Sequence, residues 1–136
     1  MQTHPHLSFN GQCEEAFRYY EKHLGGKITA LALYEGTPAE NFMPAELRKK
    51  VIHAQIRIGD GTLMGADSPP DRFQATHGIA VTLAADTPAD AERIFHALAD
   101  GGSVQMAMDK TFFAAKFGML RDRFGIPWMV ICEKAA

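Results

Sequence analysis

Two short runs of alternating residues hold the side chains best suited to chemistry. His6, Ser8 and Asn10 alternate with apolar neighbours near the start, and His53, Gln55 and Arg57 alternate with Ile52, Ala54, Ile56 and Ile58 further on. A period of two puts each set on one face of a strand. A neutral imidazole at His53, mid-strand and beside an amide and a guanidinium, suits a general base or a hydrogen-bonding contact to a ligand. Other reactive types lack the right setting. Ser8, Ser68 and Ser103 are outside any Gly-x-Ser-x-Gly turn. Cys132 falls in an apolar strand, where a thiol is packing. Cys13 opens a helix, a place that lowers a thiol pKa, but no cationic residue adjoins it. Phe112-Phe113 sits in a loop, and two adjacent aromatics there cannot both turn inward. One of them is expected to close over a pocket or a partner subunit.

The elements that must hold these residues repeat. An amphipathic helix over residues 12–24, with Ala16, Phe17, Tyr20 and Leu24 on one face, stops at Gly25-Gly26. A second over residues 88–100, with Ala91, Ile94, Phe95 and Leu98 inward, stops at Gly101-Gly102. Thr87 and Pro88 supply the second helix's N-cap and first turn. Each helix is preceded by a strand, at 6–10 and at 78–84, and followed by a further strand and a hairpin. The hairpins turn at Gly59-Asp60-Gly61 and at Arg123-Phe124-Gly125. Trp128 and Val130 are expected on the helix-facing side of the last strand. The chain reads as a diverged duplication of one strand–helix–three-strand unit, residues 1–70 and 71–136, within a single domain. The fold class is α+β: paired βαβββ modules form curved mixed sheets around a cleft, with helices on the outer faces. The polar strand faces, with Ala80, Thr82 and Ala84 in the second unit, would line that cleft.

Composition narrows the function. The 136 residues carry a formal net charge of −2 and 46% hydrophobic residues, as in an ordinary soluble domain. Arg48-Lys49-Lys50 is a short basic run and not a stripe, so no nucleic acid is expected. No apolar run is long enough for a membrane span, and Met1-Gln-Thr-His lacks the basic and apolar regions of a signal peptide. The expected location is the cytoplasm, with both cysteines reduced.

Four segments together resemble the PhnB-like branch of the vicinal oxygen chelate superfamily, which includes glyoxalase I, bleomycin-resistance proteins and extradiol dioxygenases. They are Leu7-Ser-Phe-Asn-Gly-Gln-Cys-Glu-Glu-Ala-Phe-Arg-Tyr-Tyr20, Ile52-His-Ala-Gln-Ile-Arg-Ile-Gly-Asp60, Thr111-Phe-Phe, and the stretch from Phe117-Gly to Pro127-Trp-Met. The resemblance implies paired βαβββ modules and a homodimer. Some members carry a methyltransferase label, but no Gly-rich cofactor loop after a strand supports that chemistry here.

The resemblance also implies, for the superfamily's enzymes, one divalent ion held by His, Glu or Gln from the first, fourth, fifth and eighth strands. Matching the helix starts places those positions near His4 to His6, Gly65, Ala80 and Met129. Only the first has a donor suited to Zn²⁺ or Mg²⁺, since a thioether is a poor ligand for either. A shifted site would draw on His6, His53, Asp67, His77 and Glu133. Asp67 also suits a turn cap before Ser68-Pro69-Pro70. The expectation is a homodimeric protein that binds a small molecule and holds no cofactor. Its cleft is drawn from His6, Ser8, His53, Gln55, Arg57, Asp67 and Met129, completed across the subunit boundary by Phe112 and Phe113. A metal-dependent lyase or isomerase resembling glyoxalase I is the alternative, and a ligand-sequestering resistance protein is another.

Overall fold

The structure is a computed structural model, which describes residues 1–134. The chain divides into two compact units, Met1–Ala75 and Thr76–Ala136.

The first unit runs β1 (His6–Phe9), α1 (Cys13–Leu24), β2 (Lys27–Leu33), β3 (Val51–Ile58) and β4 (Gly61–Asp67). The second repeats the order: β5 (Val81–Ala84), α2 (Pro88–Ala99), β6 (Ser103–Asp109), β7 (Lys116–Arg121) and β8 (Pro127–Cys132). The sheets have orders β1-β4-β3-β2 and β5-β8-β7-β6. In each, the first strand pairs parallel with the last, and the remaining pairs are antiparallel. This is the α+β architecture of two βαβββ modules. Short 3-10 turns, Pro38–Phe42 and Ala45–Leu47, fill the long β2–β3 connection. The fifth strand is shorter than its apolar run suggests: Gly78 takes a left-handed φ of 78°, and Ile79 lies 73% exposed before pairing begins.

Both helices stop where the sequence places a glycine. Gly25 and Gly101 adopt φ of 68° and 78°, which a residue with a Cβ enters only at a cost. At the other end of α2, Thr87 Oγ1 accepts from the Asp90 N–H at 3.1 Å.

Each helix covers one face of its own sheet. Cys13, Ala16, Phe17 and Tyr20 form the buried stripe of α1, and Leu7, Phe9, Ala54, Ile56 and Leu63 are buried in the sheet of the same unit. Ala91, Phe95 and Leu98 form the stripe of α2; Ile94, at its margin, is half-buried. Trp128 and Val130 are fully buried in β8. In both units a helix phenylalanine sits over a sheet glycine. A Cβ on Gly65 would meet Phe17 Cζ at 2.8 Å, and one on Gly118 would meet Phe95 Cε2 at 2.7 Å. Burial of either ring is worth about 1.5–3 kcal/mol, and the missing side chain is what admits it.

Candidate functional site

Because strand residues alternate, the helix-covered face fixes what the opposite face carries. In the first unit that open face is defined by strand register. His6 lies beside Met64, Met64 beside Gln55, and Gln55 beside Ala30. A second row contains Ser8 beside Ala66, and His53 beside Ala32. A third has Thr62 beside Arg57 and Arg57 beside Lys27. His6, Ser8, His53, Gln55 and Arg57 therefore share one surface, as their alternation in sequence implies. Ser8, His53 and Gln55 are half-buried, while His6 and Arg57 are exposed. Their strand neighbours Ala30, Ala32 and Ala66 have small side chains.

Asp67 does not join them. It has the parity of Leu63 and Gly65, faces the helix, and is 1% exposed. Its Oδ1 accepts from the Cys13 N–H at 2.9 Å and its Oδ2 from the Val51 N–H at 2.9 Å. The Tyr34 hydroxyl donates to its backbone carbonyl at 2.8 Å. Asp67 is thus a remote cap on α1 that also ties down the start of β3. The local cap expected before Ser68 is not its role. Sequence reasoning missed this because the partners lie 54 and 16 residues away. The same parity corrects the fourth-strand position: Gly65 points at Phe17, so the open-face residues of β4 are Thr62, Met64 and Ala66.

Cys13 is buried, and its thiol pKa is pushed well above the usual 9.0 by burial, then by the Asp67 and Glu14 charges. The helix start does not activate it, because desolvation and a buried carboxylate outweigh the helix dipole. Burial, then Asp67, also raises the Tyr34 phenol. Beside this corner is a cavity of about 640 Å³ lined by Gln12, Glu14, Arg18, Lys50 and Asp67, among others. Several of its polar groups are already engaged within the chain. Lys50 Nζ donates to the Gly11 carbonyl at 3.0 Å, Arg18 pairs with Glu14 at 3.3 Å, and Asp67 is bonded as above.

The open face of the second unit has an apolar centre, with Arg121 beside Ser103 and Asp109 beside Phe117 at its ends. Met106 lies beside Met119, Met119 beside Met129, and Met129 beside Thr82. Phe117 lies beside Ile131, and Ile131 beside Ala84. Phe113 stacks edge-on against Phe117 and Phe112 against Phe113, each with ring centroids 5.1 Å apart. Phe112 is fully exposed and Phe113 is 47% exposed. Ala80, expected on this face, precedes the strand. His77 is exposed, and Glu133 lies beyond β8. On the helix side, Lys116 Nζ meets Glu92 at 2.8 Å, and that hydrogen bond lowers the carboxyl pKa and raises the ammonium pKa.

Residues 1–131 match the profile of the 3-demethylubiquinone-9 3-methyltransferase family. The chain belongs to this family. A solved relative from Bacillus cereus joins that description to the PhnB protein; it is 25% identical with a TM-score of 0.81, covering 97% of this chain and 99% of its own. Protein PA1353 from Pseudomonas aeruginosa is 44% identical with a TM-score of 0.90, covering 100% of this chain and 99% of its own. Protein YjdN from Escherichia coli K12 is 32% identical over 139 residues, 96% of this chain and 94% of YjdN. The fold extends further. A glyoxylase/bleomycin resistance protein/dioxygenase domain from Frankia shares it at 14% identity with a TM-score of 0.65. This PhnB-like chain therefore shares its fold with proteins of the glyoxalase and bleomycin-resistance type.

The superfamily's divalent ion does not fit the residues present. On the open faces, β1 offers His6 and Ser8; β4 Thr62, Met64 and Ala66; β5 Thr82 and Ala84; β8 Met129 and Ile131. His6 is the single imidazole or carboxylate in that set. Among the described residues, no three His, Cys, Asp or Glu side chains are grouped as a metal site requires.

Proposed function

We propose that this PhnB-like protein binds a small molecule on the open face of the first unit's sheet, without a metal, as a homodimer. The observation that carries the reading is the pairing of half-buried polar side chains with small ones on this face, His53 beside Ala32 and Gln55 beside Ala30. Binding pockets place a few polar groups among small or apolar ones in this way. The family's methyltransferase description is not part of our reading. The β1–α1 connection, Asn10-Gly11-Gln12, has one glycine, and no Gly-rich turn there would seat a nucleotide-like methyl donor. The Phe112–Phe113 loop, exposed in the chain, would pack against a second copy.

Two measurements test the reading. Elemental analysis of dialysed protein should find far less than one equivalent of Zn, Ni, Mn or Fe per chain. A stoichiometric metal that survives dialysis would replace this reading with that of a metal-dependent lyase or isomerase. Small molecules that raise the melting temperature should lose that effect when His53 and Gln55 are changed to Ala, as linkage requires of a ligand bound there.

A further inference from the structure

The ionisable side chains on the open face of the first unit are all basic. The four strands contain five ionisable residues: His6, Lys27, His53, Arg57 and Asp67. The single acid, Asp67, faces the helix and is spent on two backbone N–H groups. The four basic residues share the opposite face through strand alternation and the Lys27–Arg57 and Ala32–His53 pairings. None of the four has a carboxylate partner among the described residues. The Arg57 side chain makes one long contact, from Nε to the Gly59 carbonyl at 3.4 Å.

Elsewhere the pattern is different. Arg18 is bracketed by Glu14 and Glu21, Arg93 meets Asp90, Lys116 meets Glu92, and Arg123 meets Asp100. Several cations on and beside the helices are paired in this way, and Lys27 and Arg57 on this sheet face are not. Ser8, Gln55 and Thr62 add neutral donors between them. His53, Gln55 and Arg57 follow at about 7 Å intervals along β3, close enough for one oxyanion to reach two of them. Arg57 offers a planar fork suited to such a group.

We propose that the ligand carries an oxyanion, a carboxylate or phosphonate, and that Arg57 and Gln55, with His53 and Lys27 beside them, receive it. This rests on the open face being the binding face. Phenylphosphonate, phenylacetate and neutral phenylacetamide serve as probes. Binding is read from the NMR signals of the Gln55 side-chain amide and the His53 ring. The two anions should shift these signals, and phenylacetamide should bind about tenfold more weakly, as loss of a charged hydrogen bond implies. Arg57→Gln should weaken the anions by a similar factor and leave phenylacetamide unchanged. Added salt should weaken the anions alone. Equal binding of phenylacetamide, or indifference to Arg57→Gln, overturns the oxyanion assignment and leaves the binding face standing. If no probe shifts either residue, both the assignment and the binding face fall.

Discussion

Two buried carboxylates, Asp67 and Asp122, each organise one unit from within. Asp122 is 4% exposed; its Oδ1 accepts from the Phe124 and Ile126 N–H groups and its Oδ2 from Trp128 Nε1, all at 2.8–2.9 Å. It closes the β7–β8 turn and fixes the largest core side chain, while Asp67 joins the start of α1 to the start of β3. Removing the Asp67 acceptor strands two buried N–H groups. Asp67→Ala should therefore cost about 2–4 kcal/mol in urea unfolding. Asp67→Asn, which keeps one acceptor oxygen, should cost less. If the two variants unfold alike and close to the wild-type midpoint, the cap is not formed. Neither carboxylate belongs to the proposed ligand face, so these variants should leave its side chains chemically intact.

At the scale of elements, the corner where α1 meets the β2–β3 connection should be sensitive to alkali. Cys13 and Tyr34 both have folded pKa values above their usual 9.0 and 10.0. In each case the folded protein holds its proton more tightly than the unfolded chain. The stability contribution is complete below the unfolded value and is lost as pH rises through it toward the folded value. Unfolding free energy should be level near neutrality and fall above about pH 9, with a limiting slope of about 1.4 kcal/mol per pH unit for each ionising group. Cys13→Ala keeps the backbone N–H that Asp67 accepts and should flatten the first part of that decline. An unchanged alkaline slope in Cys13→Ala would assign the loss to other groups.

For the whole molecule, the exposed aromatic ladder is the testable feature. Burying Phe112 and the exposed half of Phe113 in an interface is worth about 2–4 kcal/mol. Light scattering should show a dimer at micromolar concentration. Changing Phe112 and Phe113 together to Ser should move the protein toward monomer. A monomeric wild type would sink the dimer reading, and a dimer unaffected by the double change would place the interface elsewhere. No described helix is long and apolar enough to cross a membrane.

The sequence by itself determined the two βαβββ modules, because periodicity and punctuation are local. Helical spacing of Phe17 and Tyr20, strict alternation from Ile52 to Ile58, and glycines at 25 and 101 each act over a few residues. It also placed His6, Ser8, His53, Gln55 and Arg57 on one face, since alternation alone assigns the side of a strand. Where alternation had no polar partner to mark the face, tertiary structure decided. Gly65 carries no side chain to show its direction, and Phe17 packing against it reveals that it faces the helix. Asp67 is an acid in a strand, a pattern that local reasoning reads as solvent or ligand-facing. Its two backbone donors come from distant segments, and only the folded chain brings them within 2.9 Å. The separation of a basic face from Asp67 likewise depends on register, which pairs Lys27 with Arg57 and turns the acid away.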